Sequence, residues 1–366
     1  MAKLKDYVIV QPKSKIKASE GLNEGEYKFF TSSNTQSKWV NQYQYDNPAL
    51  IFGTGGMASV HFCDTPFSTS TDCIVMYAKG NLNLEYVYRY LESHMYILEN
   101  GFKGVGLKHI SKEYILSISI PEADVAQQEN VAITANKVDD IISTRQKQIL
   151  NIDELVRSRF IEMFIENAAL QHWPKTNIGA VATDARTGPF GSALHHDEFV
   201  DEGVFVLGID NAVENRFSYN KMRYITDEKY QQLKRYTVKP GDVIITIMGT
   251  VGRSAVIPED MPKAINTKHL ACITPDKNQI DSYFLTCLFQ MHPEIRSQLQ
   301  NQSKGAIMDG LNLTIIKALK FSLPPLTLQK QFVDFFKKAD KLKINIQISL
   351  EKLAVVKSAL MQQYFG

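Results

Sequence analysis

The second half of this 366-residue chain repeats the plan of its first half about 200 residues later. Each half has a stretch rich in Gly, Thr, Ser and Asn, followed by a proline-marked start of a long helix with heptad-like spacing. The matching segments are 86–91 with 283–288, Ile120-Pro121 and Gln128 with Leu323-Pro324 and Gln331, and Arg157-Ser158 and Phe164 with Lys357-Ser358 and Phe365. Such a duplication predicts two similar surfaces held apart by a spacer, which suits a target with two separated parts.

Length and composition favour a two-domain protein without an overall charge bias. A chain of 366 residues exceeds one ordinary core, and 44% hydrophobic with 22% charged residues is typical of globular proteins. The formal net charge is only +2, so any nucleic-acid binding has to come from local patches. We expect no signal peptide and no membrane span, and the four cysteines lack CxxC spacing, so a cytoplasmic location is predicted.

Short β-prone runs occur in the same order in both halves. In the first they are 27–30, 49–52 and 73–77, followed by a helix at about 83–99. In the second they are 204–207, 242–247 and 271–274, followed by a helix at about 280–291. Asn34 and Asn211 follow equivalent strands, but the second half carries an insertion of about 20 residues that includes 224–240. Divergent insertions on a duplicated scaffold suit two surfaces that read different things.

Two long helices give the clearest local pattern, because their apolar residues follow 4-3 spacing. The predicted contact positions are Val131, Ala135, Val138, Ile142, Arg145, Ile149, Ile152, Val156, Arg159 and Met163 in the first helix, and Phe332, Phe335, Ala339, Leu342, Ile346, Ser349, Leu353, Val356 and Leu360 in the second. Narrow apolar stripes of this kind favour pairing of the helices over packing on a sheet.

These patterns together predict an α+β fold. Two similar globular domains are separated by two long antiparallel coiled-coil helices, with the first domain at 1–120, the first helix at 121–166, the second domain at 167–323 and the second helix at 324–366. The alternative for the helices is that each packs only on its own domain.

Glycine-rich turns and polar strand ends are the candidate binding elements. The Gly-Thr turns at 53–56 and 249–252 allow a close backbone approach to phosphate, although a plain hairpin turn is the alternative. The candidate DNA-contacting residues are Asn34, Lys38, Thr54, Gly55, Ser68, Thr69 and Thr71 in the first half, and Arg186, Thr187, Ser192, Asn211, Thr250, Arg253, Asn266, Thr267, Lys268, His269 and Lys304 in the second.

No catalytic or metal-binding pattern is present in the sequence. The chain lacks GxxxxGK[ST], HExxH, GxSxG, a Cys/His cluster and an adenine-methylation motif. The adjacent His195 and His196 lack the spacing that would bring them to one ion, so no metal site is predicted. A duplicated chain without a catalytic constellation is typical of a recognition module.

The chain resembles the specificity subunit of Type I restriction–modification enzymes over nearly its whole length. The resemblance lies in the segments 187–192, Glu202-Gly203, 241–244, 249–252, 323–326 with Gln329, and 357–360. It implies two target recognition domains that read the halves of a bipartite double-stranded DNA site, with the helices setting their separation. It also implies a non-catalytic chain whose partners are modification subunits, two being expected, and restriction subunits.

The same resemblance implies that this chain binds no cofactor. S-adenosylmethionine, ATP and magnesium are expected on the partner subunits. The alternative from another class is a protein-binding coiled-coil adaptor or inhibitor without DNA specificity. Such an adaptor would show no salt-dependent affinity for DNA.

Overall fold

The computed structural model describes residues 2–166, 171–190, 193–303 and 311–366. By its internal contacts the chain divides into two compact units, Met1–Gln148 with Ile346–Gly366, and Ile149–Asn345. The boundaries between the units therefore fall inside the two long helices. Unit 1 denotes the former and unit 2 the latter.

Unit 1 contains a four-stranded antiparallel sheet, a smaller three-stranded sheet and short helices. Its elements are β1 Ala2–Lys3, β2 Val8–Val10, β3 Tyr27–Phe30, β4 Lys38–Val40, β5 Ala49–Gly53, β6 Ser59–Cys63, β7 Phe67–Thr69, β8 Cys73–Ala78, α1 Leu84–Ser93, α2 Tyr96–Glu99, α3 Lys112–Ser117 and β9 Ser119–Ile120. The larger sheet has the order β2-β8-β5-β6, and the smaller one has β4-β3-β7 with β3 and β7 parallel. Leu50, Phe52 and Met76 are buried against α1 in its core.

Unit 2 repeats this arrangement of two sheets. Its elements are β10 Lys175–Asn177, β11 Ala182–Thr187, β12 Val204–Leu207, β13 Tyr224–Ile225, α5 Asp227–Leu233, β14 Thr237–Val238, β15 Val243–Thr246, β16 Ser254–Val256, β17 Ala264–Asn266, β18 Leu270–Pro275, α6 Ser282–Met291, α7 Pro293–Ser303, α8 Leu313–Ala318 and β19 Lys320–Ser322. The sheets are β11-β18-β15-β16 and β13-β12-β17-β14, again with one parallel pair, β12 and β17. The six predicted strands and the helix predicted at 280–291 are confirmed, whereas the helix predicted at 83–99 is divided at His94 and Met95 into α1 and α2.

The insertion in the second half has a clear structural identity. β13 pairs antiparallel with β12 as β4 pairs with β3, so the strand Tyr224–Ile225 belongs to the shared scaffold. Extra chain lies on both sides of β13, because the loop 208–223 before it is longer than its counterpart 31–37, and α5 with β14 follows it and adds a fourth strand beside β17. The predicted insertion therefore begins before Tyr224 and is interrupted by this strand of the shared scaffold.

The long helices are α4, Val125–Ile161, which continues as a π-helical turn through Glu166, and α9, Leu326–Phe365. Within unit 2, Lys343 pairs with Asp153, and the rings of Phe332 and Phe160 lie 5.4 Å apart. Within unit 1, Lys357 Nζ lies 2.9 Å from Asp139 Oδ1. Lys343 precedes Lys357 by two heptads and Asp153 follows Asp139 by two heptads, so both pairs obey one antiparallel register. The predicted α+β fold with paired antiparallel helices is confirmed.

The contact stripe of α9 differs from the predicted one at two positions. Leu342 and Val356 are 50% and 47% exposed, and the residues that turn inward are Lys343 and Lys357. An acidic residue of α4 faces each lysine, so a lysine turns inward at these two places, while Ile346, Leu353 and Leu360 keep their predicted inward positions. Apolar spacing alone could not show this preference, because it depends on charges in the partner helix.

A second correction concerns the start of the long helices. Gln128 Oε1 accepts a hydrogen bond from Asn83 N at 2.8 Å, and its Nε2 donates to Ala123 O at 2.8 Å. In unit 2 Gln329 makes the same two bonds, to Asp281 N at 3.0 Å and Pro324 O at 2.8 Å. The counterpart of Gln128 is therefore Gln329 and not Gln331, which is exposed.

A charged cluster attaches α4 and α9 to α1 in unit 1. Arg89 is only 5% exposed and contacts Asp139 at 2.5 Å and Glu92 at 3.1 Å. Burial raises the pKa of Asp139, but Lys357 and Arg89 outweigh burial and hold that pKa below its usual value. A depressed folded-state pKa means that this carboxylate stabilises the fold above its unfolded pKa, near 4, and loses that contribution as pH falls through the folded value.

We predict that Asp139→Asn lowers the free energy of unfolding at pH 7 by about 1–3 kcal/mol, because the buried Arg89 and half-buried Lys357 lose a shared carboxylate. The deficit should shrink as the pH drops below about 4, where the wild-type carboxylate is protonated. Urea unfolding at both pH values measures it. The control is Asp227→Asn, whose partner Lys263 is exposed, and it should cost less than about 0.5 kcal/mol. A deficit independent of pH would contradict the assignment.

Candidate nucleic-acid interface

Three turns meet at one edge of unit 2, where strands of both sheets end. Thr267 N donates to Leu207 O at 2.9 Å, which joins the end of β17 to the end of β12. Ile247 N donates to His269 O at 3.0 Å, and Leu311 N donates to Ile247 O at 2.9 Å. Residues after β12, β15 and β17 therefore form one continuous surface, called here the unit 2 edge and defined by residues 208–223, 247–253 and 267–269.

The Gly-Thr turn of this edge is built by the buried Thr246. Its Oγ1 accepts a hydrogen bond from Arg253 N at 3.0 Å and donates to the carbonyl of Thr250. Gly249 and Gly252 have φ of 70° and 81°, a left-handed conformation that favours glycine. The turn therefore presents Thr250 and Arg253 to solvent, and within the described part of the chain Arg253 has no carboxylate partner.

The segment from the end of β17 to His269 contains both buried and exposed side chains. Asn266 is fully buried and its Nδ2 donates to Leu270 O at 3.0 Å, Thr267 is half-buried with its hydroxyl oxygen inside the protein, and Lys268 is exposed. Burial, followed by the charges of Lys268 and Arg223, lowers the pKa of His269. Its ordinary value is near 6.5, so the imidazole is neutral at pH 7 and offers both a donor and an acceptor.

Several predicted contacts in unit 2 belong to the framework. Arg186 Nη2 contacts Asp242 Oδ2 at 2.6 Å and Thr237 O at 2.6 Å, and its side chain is 14% exposed. Asn211 is fully buried, accepting from Gly208 N at 2.8 Å and donating to Ser218 O at 2.7 Å. Burial leaves Arg186, Asn211 and Asn266 little or no surface for DNA. We therefore assign them to the support of the unit 2 edge.

The other unit 2 candidates divide by position. Thr187 is half-buried at the end of β11, next to Gly188, where an added Cβ would lie 2.2 Å from Asn266 O. Glycine at 188 is thus required by the close approach of two backbones. Ser192 and Lys304 lie outside the described residues. Thr250, Arg253, Thr267, Lys268 and His269 share the unit 2 edge and stay predictions.

Unit 1 has an equivalent edge, formed by the turns after β3, β5 and β7. Thr54 N donates to Asp72 O at 2.9 Å and to Ser32 Oγ at 3.2 Å, and Ser32 Oγ donates to Asp72 O at 2.7 Å. Gly56 N donates to Lys108 O at 3.2 Å, which adds the loop before α3. The unit 1 edge is therefore defined by residues 31–37, 54–58, 70–72 and 103–109.

The predicted residues of unit 1 are mostly framework. Ser68 and Thr69 are fully buried in β7, so neither side chain has surface to offer DNA. The Thr54 hydroxyl donates a hydrogen bond to Asp72 O at 3.0 Å. An added Cβ on Gly55 would lie 3.1 Å from the His109 ring. These four residues shape the turns. Small polar residues of this kind occur both at DNA contacts and in packed turns, so the sequence alone could not distinguish these two roles.

Three unit 1 candidates keep accessible surface. Asn34 is exposed in the turn after β3, and Thr71 is half-buried in the turn after β7. Lys38 lies on β4, where its Nζ donates to Asn23 Oδ1 at 2.9 Å. Asn34 and Thr71 belong to the unit 1 edge, and all three stay predictions.

The structure adds cations that the sequence analysis missed. Arg216 and Lys221 are exposed on the unit 2 edge, and Arg223 beside them contacts Asp210 Oδ2 at 2.7 Å. In unit 1, Lys103 and Lys108 lie in a loop that contacts the Gly-Thr turn. The available signals were the insertion in the second half and the three lysines at 103, 108 and 112 before α3.

The clefts beside the two edges differ in charge. The unit 1 cleft, of about 610 Å³, lies between β6 and α1 and is lined by Glu92, Glu99, His61 and Lys108 among others. The unit 2 cleft, of about 360 Å³, is lined by Arg253, Arg296 and amide side chains. Equivalent places in the duplicated scaffold therefore offer different electrostatics.

Within the described ranges, no group of three or more His, Cys, Asp or Glu side chains converges as for a metal ion. Among the same residues, no helix combines the length and apolarity needed to cross a membrane.

The sequence profile of the Type I restriction modification DNA specificity domain matches residues 1–152 and 204–353. This match covers most of the chain and both copies of the duplicated scaffold. The chain belongs to this family. It is a specificity subunit of a Type I restriction–modification system.

Known specificity subunits are similar to this one along most of their length. The MjaVIII specificity subunit of Methanocaldococcus jannaschii is 21% identical over 89% of this chain and 79% of its own length. The EcoBI specificity subunit of Escherichia coli is 20% identical over 92% of this chain and 76% of its own.

Solved structures show the same fold. The specificity subunit from M. genitalium is 16% identical, with a TM-score of 0.69 over 100% of this chain and 95% of that one. A structure described as showing complex assembly and conformational transition of the type I restriction–modification system is 14% identical. Its TM-score is 0.58, over 100% of this chain and 96% of that one.

We predict that Arg253→Ala and Lys268→Ala each weaken DNA binding by about 1–3 kcal/mol if they meet base edges, with relaxed specificity at one position. If they meet phosphates, the loss should be even across sequences and the salt slope should fall by about one. Titrations of duplex DNA at several salt concentrations distinguish the two. The control is Lys239→Ala, exposed beyond β14 at the opposite end of the same sheet. If DNA affinity and its salt dependence were unchanged in both variants, these residues would have no role in DNA binding and would serve only to form the turns.

Proposed function

We propose that this specificity subunit binds double-stranded DNA and reads a bipartite site, one half with each edge. The observation that carries the proposal is the repetition of one edge in both units, built on a buried polar framework and ending in exposed polar side chains. A framework that uses Arg186, Asn211 and Asn266 internally holds the neighbouring turns in fixed positions. Fixed turns allow hydrogen bonds to base edges without a large ordering cost.

The two kinds of contact are assigned to different residues of the unit 2 edge. Arg253 and Lys268 supply positive charge for phosphates or guanine, and Thr250 and the neutral His269 supply hydrogen-bonding groups for base edges. In unit 1, Asn34, Thr71, Lys103 and Lys108 take these roles. Since the net charge of the chain is only +2, these local cations carry the electrostatic attraction, and affinity falls as salt rises.

Partner subunits are proposed to cover the long helices. Ile133, Ile141 and Val355 are 53%, 45% and 69% exposed in unit 1, as are Leu150 and Leu155 in unit 2 at 67% and 57%. Exposed aliphatic residues on helix surfaces are typical of positions that another protein covers. We assign these positions in each unit to contacts with two modification subunits, with restriction subunits completing the complex.

Chemistry in this proposal belongs to the partners. S-adenosylmethionine, ATP and magnesium bind to the modification and restriction subunits, and adenine is methylated after it leaves the base stack. This chain provides the DNA sequence specificity and is not catalytic. The complex acts in the cytoplasm on cellular and incoming DNA.

The test is methylome sequencing of cells that express the chain with its cognate modification subunits. We expect one bipartite adenine-methylation motif, with two specific parts separated by a non-specific spacer. The control is the same strain with the modification subunits alone, which should show no such motif. A contiguous motif, or no motif although the complex assembles, would contradict the proposal and favour a protein-binding adaptor.

A further inference from the structure

Two aliphatic side chains project from the unit 1 edge without a protein partner. Val105 is 107% exposed and Leu107 is 77% exposed, in the loop 103–109 that leads to α3. Fully exposing a large aliphatic side chain forgoes about 1.5–3 kcal/mol of burial energy. Single exposed aliphatics are common, but two beside each other at a loop tip on a binding edge indicate a surface that something covers.

The loop is held in a defined conformation. Lys103 and His109 exchange backbone hydrogen bonds of 2.9 and 3.0 Å, which close the loop as a hairpin. Its base is fixed to the Gly-Thr turn, because Ile110 N donates to Thr54 O at 3.1 Å and His109 Nδ1 lies 3.1 Å from the same oxygen. The tip therefore projects from a fixed base.

Glycines on both sides shape the tip. Gly104 and Gly106 have φ of 137° and 88°, where other residues are strained, so the backbone turns sharply on each side of Val105. An added Cβ on Gly106 would meet no atom within 4 Å, which shows that this part of the loop stands clear of the protein.

The charge around the tip selects the partner. Between Glu99 and Glu113 the loop contains Lys103, Lys108, Lys112 and His109 and no acidic residue, so the cations lie closer to the tip in sequence than the acids do. Cations that surround a small apolar tip fit a polyanion whose interior is apolar, as in a DNA duplex with phosphates outside and stacked bases inside. Two side chains are too few for a typical protein-docking patch, whose apolar core is several times larger.

We propose that this tip is a wedge: Val105 and Leu107 insert between stacked bases of the half-site bound by unit 1, while Lys103 and Lys108 hold the flanking phosphates. The inference rests on the proposed function, since it requires that unit 1 binds DNA. Insertion unstacks one base step and bends the half-site, and the desolvated aliphatic side chains offset part of that cost. Flexible pyrimidine–purine steps are the preferred place for the wedge.

The test uses the full chain with its cognate modification subunits and a set of duplexes that contain the mapped motif. Each duplex carries one 2-aminopurine at a different position of the half-site read by unit 1, leaving out the methylated adenine. Fluorescence of 2-aminopurine rises when it unstacks. We expect a rise at one step with wild-type complex at saturation, and loss of that rise in Val105→Ala/Leu107→Ala, with affinity weakened about tenfold.

Three further variants separate the contributions. Leu107→Met keeps an apolar tip and should keep the fluorescence rise. Lys103→Ala/Lys108→Ala should lower affinity and the salt slope but retain the rise at saturating protein. Ile9→Ala changes another exposed aliphatic residue of unit 1, 52% exposed on β2 and outside the unit 1 edge, and should leave the fluorescence rise unchanged.

The outcomes are distinct. Binding by wild-type complex without a response at any position, or a full rise with the double alanine variant bound, overturns the wedge and leaves the proposed function intact. If the double variant no longer assembles with the modification subunits but the chain itself still binds DNA with normal affinity, the tip is assigned to a protein partner. This outcome also overturns the wedge. Absence of DNA binding by the wild-type complex would instead contradict the proposed function.

Discussion

One buried glutamine in each copy determines how a globule and its long helix are joined. Gln128 and Gln329 are 8% and 0% exposed. Each hydrogen-bonds one backbone group at the start of a short helix and one at the start of a long helix. Each accepts from the backbone nitrogen of the residue that caps the short helix, Asn83 or Asp281. Losing the glutamine would leave buried backbone groups without partners, which is why both copies keep it.

Packing around this shared joint is alike in the two copies, whereas the charged contacts beyond it differ. Both copies pack a phenylalanine from the end of a long helix against the rings of the short helix: Phe365 lies 5.3 Å from Tyr86 in unit 1, and Phe164 lies 4.8 Å from Phe284 in unit 2. Unit 1 adds the ion pairs of Arg89 with its carboxylate partners farther along the helices. The same joint is therefore kept while the charged contacts beyond it differ between the copies. On that common frame the edges are free to differ, and the clefts beside them do differ in charge.

Most of the architecture could be predicted from the sequence because it depends on local and periodic signals. The six strands, the helices after them and the antiparallel long helices follow from hydrophobic pattern and duplication. The register of α9 could not be predicted, because Lys343 and Lys357 turn inward only where Asp153 and Asp139 face them. Spacing also selected Gln331 as the repeated residue, since the alignment was anchored on the proline and not on the buried contact.

The candidate site was harder to predict because its residue types serve two purposes. Small polar residues at strand ends either face solvent or complete the framework, and Ser68 and Asn266 do the latter. The sequence suggested Arg186 as a DNA-binding cation. Its ion-pair partner Asp242 lies 56 residues away, so the local sequence around Arg186 does not show this pairing. Exposure identifies Lys268, Arg253 and the loop 103–109 as the accessible groups, and no local pattern in the sequence gives exposure.

The central claim is that the two copies of one scaffold read separate halves of one DNA site. Its most direct test replaces only the unit 2 turns 247–253 and 267–269 with those of another specificity subunit and maps the methylated motif again. The account predicts that one half of the motif changes while the other half and the spacer stay the same. A change in both halves, or an unchanged motif in a folded and active complex, would contradict it.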